Sequence, residues 1–153
     1  MVVDETDIKI LELLQKEGRT RRVDLADKVG LSLPAVSERL RKLEESGIIS
    51  GYFAKVNHQH LGKDITAFVV VTIDSSKHFN SFIEHANATD EILECHAITG
   101  EGTHVLKVRT DNTGTLERLL AKIQSWAGVM KTTTSMVLST SKETFRVKLN
   151  NHK

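Results

Sequence analysis

Cysteine and histidine are the residue types in this chain that could carry covalent or metal chemistry, and it has one cysteine and seven histidines. Cys95 and His96 are adjacent in a β-prone stretch, so their side chains should point to opposite faces and cannot form a nucleophile–base pair. His58 and His60, like His96 and His104, lack a Cys-x-x-Cys or His-x-x-x-His spacing, and zinc needs about four ordered ligands. The sequence therefore predicts no catalytic residue, no metal site and no cofactor.

Two clusters of basic side chains suit a different chemistry, the binding of phosphate groups. Residues 1–58 contain ten basic and ten acidic residues, yet six of the ten positive charges fall in these two clusters. Guanidinium and ammonium groups bind phosphate oxygens of a nucleic-acid backbone. We expect phosphate contacts from Arg19, Arg21, Arg22, Arg39, Arg41 and Lys42.

Three short helices, predicted within residues 4–46 and separated by glycines, would position these clusters. In the second and third of them, Ala26 is small enough for two helices to cross closely, Gly30 permits a tight turn, and Val36 fills the angle. This spacing predicts a helix-turn-helix, whose second helix enters the major groove of DNA. A purely structural helical hairpin is the alternative interpretation.

The third predicted helix buries Val36, Leu40 and Leu43 on one face, which leaves the opposite face for a partner. The N-terminal part of a recognition helix meets base edges. DNA contacts at this end are expected from Ser32, Leu33, Pro34, Ser37 and Glu38, the last four as candidates for base readout. The β-prone segment 48–56 that follows is expected to form a wing.

Strands and helices alternate in the rest of the chain. Strands are predicted at 65–73, 91–99, 103–110 and 129–140, helices at 78–88 and 116–126, and a further closing strand at 144–149. The order βαββαβ predicts a ferredoxin-like sandwich, with both helices on one face of an antiparallel sheet.

The chain is therefore predicted to be an α+β protein. Its parts would be an N-terminal helix-turn-helix domain (1–50), a wing or linker strand and hinge (51–63), and a ferredoxin-like domain (64–153). Apolar residues at alternate positions on the uncovered face of the sheet favour burial against a second subunit in a two-fold dimer.

A series of short motifs follows in order along the chain. They are Asp7-x-x-Ile10-Leu11, Leu25-Ala26 before Val29-Gly30-Leu31-Ser32, Arg39-Leu40-x-x-Leu43-Glu44, Gly47-x-Ile49-x-Gly51-Tyr52 and Leu61-Gly62. Together they resemble the Lrp/AsnC family of regulators, also called feast/famine regulatory proteins, over nearly the whole chain. The resemblance implies a sequence-specific, DNA-binding transcriptional regulator whose homodimers assemble into tetramers or octamers. It also implies an amino acid or related small effector bound between dimers.

The same resemblance implies where the effector would bind. Carried over by position, the site comprises Ala97, Thr99, Gly100, Glu101, Gly102 and Thr103, with Ser135, Met136 and Val137 of a neighbouring subunit. Backbone N–H groups of a glycine turn can hold a carboxylate. Many family members have Gly-Asp-Tyr/Phe-Asp here, whereas this chain has Gly100-Glu101-Gly102-Thr103, so the aromatic is absent and Glu101 would have to replace the second acidic residue. Glycines that only shape a β-turn are the alternative.

The bulk composition is compatible with this interpretation. The net charge is +1, no apolar run approaches the roughly 18 residues of a membrane helix, and the first residues do not resemble a secretory signal. We expect a cytoplasmic, nucleoid-associated protein that binds double-stranded DNA and no membrane. A DNA-wrapping architectural protein without a ligand is the main alternative, favoured by the altered turn and disfavoured by the near-neutral charge. An acylphosphatase-like enzyme would need a convergent polar site, and an RNA-binding sheet would need exposed aromatics beyond Phe68.

Overall fold

Residues 2–149 are described by the structure, a computed structural model, and they divide into two units. The first unit comprises the chain up to Lys55 together with the segment that begins at Lys142, and the second is Val56–Ser141. Within the described residues, no helix has both the length and the apolar character needed to cross a membrane.

Three helices form the first unit: α1 (Glu5–Lys16), α2 (Arg22–Val29) and α3 (Leu33–Glu45). The carboxylate of Asp4 caps α1 by accepting the N–H of Asp7 at 2.8 Å, and the hydroxyl of Ser32 caps α3. Between α2 and α3, Gly30 has φ +69°, a left-handed conformation that favours glycine. The predicted helix-turn-helix is confirmed.

The core of the first unit fixes the rotation of α3. Its buried side chains come from all three helices: Ile10, Leu25, Ala26, Val36, Leu40 and Leu43. Burying an aliphatic side chain of this size stabilises a fold by about 1.5–3 kcal/mol. Because Val36, Leu40 and Leu43 are held inward, the opposite face of α3 is held outward.

The predicted wing strand is not observed. Residues 51–57 contain no strand and are exposed. The segment is anchored by Tyr52, whose hydroxyl donates to Oε1 of Glu44 at 2.9 Å. Aromatic and β-branched residues favour a strand, but without a neighbouring strand to pair with they do not form one.

The predicted closing strand at 144–149 is also wrong. This segment contains no strand and belongs to the first unit instead of the sandwich. The side-chain amide of Gln15 accepts from the N–H of Val147 at 2.7 Å and donates to its carbonyl oxygen at 3.1 Å. The backbone groups of Val147 are therefore satisfied by a side chain and not by a sheet partner.

The second unit is a four-stranded antiparallel sheet with two helices, and the predicted βαββαβ order is confirmed. Its elements are β1 (Ile65–Ile73), α4 (Phe79–Asn87), β2 (Ile92–Ala97), β3 (His104–Thr110), α5 (Thr113–Gln124) and β4 (Val129–Met136). The strand order is β2-β3-β1-β4. Helix α5 begins earlier than predicted because the side chain of Asn112 accepts the N–H of Thr115 at 3.0 Å and so caps it.

One face of the sheet packs against both helices. The buried residues include Ala67, Val69, Val71, Leu106 and Val108 from the strands, and Phe82, Leu116, Leu119 and Ile123 from the helices. Trp126, the only tryptophan of the chain, is 8% exposed at the end of α5. Its ring lies edge-on to Phe82 with centroids 5.5 Å apart and stacks on His85 at 5.1 Å.

The other face of the sheet is not covered by any helix or strand of Val56–Ser141. Phe68 is 42% exposed there, and Val70 of β1 lies in register with Val105 of β3. Toward β2 the face becomes charged, since Glu94 lies 3.2 Å from His96 and 3.3 Å from Lys107. This face is thus apolar along β1 and ion-paired along its β2–β3 side.

Candidate nucleic-acid interface and effector site

The N-terminal end of α3 is presented to solvent. Ser32 accepts the N–H of Ala35 at 3.3 Å, and Leu33 and Pro34 are exposed in the first turn. One turn later Ser37 is half-buried and Glu38 is exposed. The helix therefore brings together the residues that the sequence nominated for DNA contact at this end.

Arg41 and Lys42 of α3 are paired with carboxylates of the same helix. Arg41 donates from Nε to Glu38 Oε2 at 2.9 Å, from Nη2 to Glu38 Oε1 at 2.7 Å, and from Nη1 to Glu45 Oε1 at 2.6 Å. Nζ of Lys42 lies 3.6 Å from Glu38 Oε1. The hydrogen bond from Arg41 lowers the pKa of Glu38 to about 2. We call these four residues the α3 ion-pair cluster.

Arg39 is paired with carboxylates at the start of α1. Its Nη1 donates to Asp4 Oδ2 at 2.7 Å and to Asp7 Oδ1 at 2.8 Å. The Asp7 side chain is 2% exposed and that of Arg39 is 31% exposed. Hydrogen bonds to Asp7 and Asp4 raise the pKa of Arg39. Arg39 ties α3 to the start of α1, while the phosphate contact expected from the sequence stays a prediction. Helical phase could have shown this contact with α1, since position 39 is three residues after buried Val36 and four before buried Leu43.

The cluster that opens α2 stays exposed. Arg21 donates from Nε and Nη2 to the two oxygens of Asp24, both at 2.8 Å, which raises the pKa of Arg21. Arg19 and Arg22 are exposed beside it. Because exposed ion pairs are worth little, DNA phosphates can displace Asp24.

The turn between β2 and β3 depends on its glycines. Gly100 has φ +96° and Gly102 has φ +82°. A Cβ on Gly102 would lie 2.4 Å from Cγ1 of Val70 and 3.1 Å from the carbonyl oxygen of Val71. Gly102 therefore allows a close approach of two backbones, and an aromatic side chain cannot be accommodated there without displacing β1. Glu101 at the tip of the turn is exposed.

Thr103 holds this turn against β1. Its N–H donates to Val71 O at 2.8 Å, and its hydroxyl donates to the same oxygen at 3.1 Å while accepting the N–H of Ile73 at 3.2 Å. Next to it, the buried ring of His104 places Nδ1 3.0 Å from the Thr103 hydroxyl, with the ring of Phe79 edge-on at 4.9 Å. Burial lowers the pKa of His104. This support is not predictable from the sequence, because a histidine at a strand start does not reveal its burial.

The two halves of the nominated effector site lie at opposite edges of the sheet. Ala97 and Thr99 belong to the β2 end, whereas Ser135 and Met136 lie on the edge strand β4, followed by Val137. Along β1, Val71 pairs with His104 of β3, whereas Ala67 pairs with Met136 of β4. Val71 and Ala67 are about 13 Å apart along the strand, at about 3.3 Å per residue. A single chain does not bring the two sets together, as expected for a site completed by another subunit.

Cys95 and His96 lie on opposite faces of β2, as their adjacent positions predict. Cys95 packs against the core, where burial raises the pKa of its thiol, and His96 lies on the open face beside Glu94. Within residues 2–149, no three His, Cys, Asp or Glu side chains are grouped so as to hold a metal ion.

Two family models match this chain. Residues 3–50 match a winged helix-turn-helix DNA-binding domain, and residues 66–147 match the Lrp/AsnC ligand binding domain.

Individual proteins match along almost their whole length. An uncharacterised HTH-type transcriptional regulator of Bacillus subtilis is 40% identical over 91% of this chain and 96% of its own. The leucine-responsive regulatory protein of Klebsiella pneumoniae is 34% identical over 95% of this chain and 90% of its own. Among solved structures, a transcriptional regulator of Neisseria meningitidis in complex with L-Met superposes with a TM-score of 0.91 and 32% identity. It covers 96% of this chain and 97% of its own.

Proposed function

This chain belongs to the Lrp/AsnC family of transcriptional regulators, and we propose that it reads DNA with α3 and senses an amino acid at the β2–β3 turn. It is a DNA-binding transcriptional regulator with a ligand-binding domain, and not an enzyme. The observation that carries the proposal is the geometry of α3, whose capped N-terminal turn is exposed while its opposite face is buried.

In this proposal the exposed residues of the first unit divide into two groups. Leu33, Pro34, Ser37 and Glu38 read base edges, because the N-terminal part of the helix enters the major groove. The phosphate contacts come from Arg19, Arg21, Arg22, Arg41 and Lys42. Since its target is chromosomal DNA, the protein acts in the cytoplasm at the nucleoid.

The operator is read by a dimer. The uncovered face of the sheet, with Phe68, Val70 and Val105 at its centre, supports pairing of two copies through the second unit. A two-fold dimer would read two half-sites about one helical turn apart. The effector site calls for a further dimer, so that Ser135–Val137 of one subunit can reach the turn of another in a tetramer or octamer.

The effector we propose is an amino acid, and two features of the turn support this. Its exposed backbone can hold the carboxylate of the ligand, and Glu101 can accept from the ammonium group. The Neisseria meningitidis relative, whose structure holds L-Met, supports this ligand class. Binding of DNA and effector would be linked through the arrangement of the assembly, and each ligand would change the affinity for the other by the same factor.

Enrichment of a random duplex pool on the purified protein tests the DNA-reading part of the proposal. We expect a selected sequence with two half-sites about 10 base pairs apart. Ser37→Ala should change the selected bases, whereas Arg19→Ala should weaken binding to all duplexes about equally. An identical effect of both variants on every duplex would contradict the division into readout and phosphate contacts.

Thermal unfolding in the presence of each of the twenty amino acids tests the sensing part, with assembly followed by light scattering. A ligand at 100 times its Kd stabilises the folded state by about 2.7 kcal/mol. We expect one chemical class of amino acid to raise the Tm, and Glu101→Gln to abolish that rise with little effect on the ligand-free Tm. No response to any amino acid would favour the ligand-free architectural protein, the candidate that the altered Gly-Glu-Gly-Thr turn supports, and would leave the DNA-binding assignment unchanged.

A further inference from the structure

The α3 ion-pair cluster occupies the donors that α3 would offer to DNA. All three nitrogens of the Arg41 guanidinium donate to carboxylate oxygens: Nε and Nη2 to those of Glu38, and Nη1 to both oxygens of Glu45. Lys42 shares Glu38 with Arg41. The partners lie one turn away on the same helix, so they remain close whenever α3 is folded.

A DNA phosphate and these carboxylates compete for the same donors. A guanidinium binds a carboxylate and a phosphate in the same planar, bidentate manner. Arg41 can therefore contact the DNA backbone with Nε and Nη2 only after Glu38 has released it. The exchange leaves the Glu38 carboxylate desolvated and without Arg41 in the protein–DNA interface. This opposes binding unless the DNA offers that carboxylate a hydrogen-bond donor.

Base edges can offer such a donor, but only at particular sequences. The N4 amino group of cytosine in the major groove donates to Glu and Asp side chains. Glu38 lies toward the N-terminal half of α3, the part that meets base edges, whereas Arg41 lies one turn further along. A matching site would satisfy Glu38 and release Arg41 together, and a non-matching site would do neither.

We propose that Glu38 is a specificity-determining residue, which withholds Arg41 and Lys42 from the DNA backbone until a base-edge donor replaces them. This inference rests on the proposed function, since it assumes that α3 is the recognition helix. It explains why a recognition helix with two adjacent cations also carries two carboxylates directed at them. Exposed pairs of this kind together shift a binding constant by roughly 3- to 10-fold.

The test measures binding to a random-sequence duplex pool by fluorescence anisotropy over a series of salt concentrations. Glu38→Gln keeps the size and helix propensity of the side chain and removes its charge. The matched control is Glu12→Gln, which makes the same charge change at an exposed position of α1 for which the described residues include no ion pair. Arg41→Ala and the double variant Glu38→Gln/Arg41→Ala complete a double-mutant cycle.

We expect Glu38→Gln to bind the pool about 3- to 10-fold tighter than the unaltered protein, with the slope of log K against log salt steeper by about 0.9. Glu12→Gln should change the affinity less than about 2-fold. Against a duplex enriched on the unaltered protein, Glu38→Gln should gain less, so that the ratio of the two affinities falls. Most of the gain should disappear in the Arg41→Ala background, where only Lys42 remains to be released.

The inference is overturned if Glu38→Gln binds the pool no tighter than Glu12→Gln, or if its gain persists without Arg41. It is also overturned if the pool and the enriched duplex gain equally, because Glu38 would then affect affinity without affecting specificity. If the unaltered protein binds neither duplex, the proposed function has failed instead, and the two failures are thereby distinguishable.

Discussion

Arg39→Met is the substitution that most directly tests the contacts between α1 and α3. Methionine keeps an unbranched apolar stem in place of the arginine stem and removes the guanidinium. The carboxylate of Asp7, 2% exposed, then loses the donor that lies 2.8 Å from its Oδ1. Its Oδ2 still accepts the backbone N–H of Asp4 at 3.2 Å, so the loss is partial.

The expected loss follows from this geometry. Leaving one buried acceptor without its partner costs about 1–3 kcal/mol, and more when the group is charged. We take about 2 kcal/mol for Arg39→Met, because Arg39 is itself partly exposed. For a unit of this size each kcal/mol lowers the Tm by roughly 4–8 °C, so the first unit should melt about 8–16 °C lower.

Thermal and urea unfolding followed by circular dichroism measure this loss, and Arg41→Met is the matched control. Arg41 is paired only at the surface, so removing its charge should lower the free energy of unfolding far less than Arg39→Met does. An equal loss for the two variants would refute the reasoning. DNA binding by the folded Arg39→Met variant gives a second test, because its salt slope should be unchanged, whereas a lost phosphate contact lowers the slope by about 0.9.

Three other perturbations have defined outcomes. Gly102→Ala should destabilise the second unit by about 1–3 kcal/mol in urea unfolding, since φ is +82° and the new Cβ meets Val70; unchanged stability would mean that the turn can shift. Phe82→Ala removes a fully buried ring and should cost about 3–5 kcal/mol by the same measurement, with a loss below 1 kcal/mol indicating that the core collapses around it. The backbone N–H of Asp7, and to a smaller extent Arg39, lowers the pKa of Asp4 in the folded state. This carboxylate therefore stabilises the first unit above its unfolded pKa, and the stabilisation is lost as the pH falls through the lower folded pKa. Acid melts should therefore show first-unit stability falling below about pH 4, and Asp4→Asn should flatten that fall.

The helices of the first unit could be predicted closely because their ends are marked in the sequence. Asp4 and Ser32 cap helices, and Gly30 permits the turn, so local chemistry alone sets these boundaries. In the second unit, α5 begins at Thr113, before its predicted start at 116, because Asn112 caps it. Gly114 in this first turn is a poor helix former and gives no helical signal in the sequence. Boundaries were thus predictable where a capping residue adjoined an apolar stripe.

Side-chain pairing was the least predictable feature. Arg39, Arg41 and Lys42 look alike in the sequence, yet Arg39 is partly buried against Asp4 and Asp7, whereas the other two lie in a surface network. The segment 144–149 has strand-like residues, but its backbone bonds to Gln15 depend on contacts 132 residues apart in sequence. The ligand proposed for the β2–β3 turn could not be predicted from the turn alone, because the residues expected to complete the site, Ser135–Val137, lie at the other edge of the sheet.

Tyr52 and Trp126 give each unit its own intrinsic chromophore, since the chain has one tyrosine and one tryptophan. Tyr52 lies in the first unit with its hydroxyl on Glu44, and Trp126 lies in the second, stacked on His85 and edge-on to Phe82. Excitation at the red edge of indole absorption reports on the second unit, and tyrosine emission reports on the segment that follows α3. In a single unlabelled sample, the two emission bands can therefore record at which unit a ligand acts and in what order the units respond.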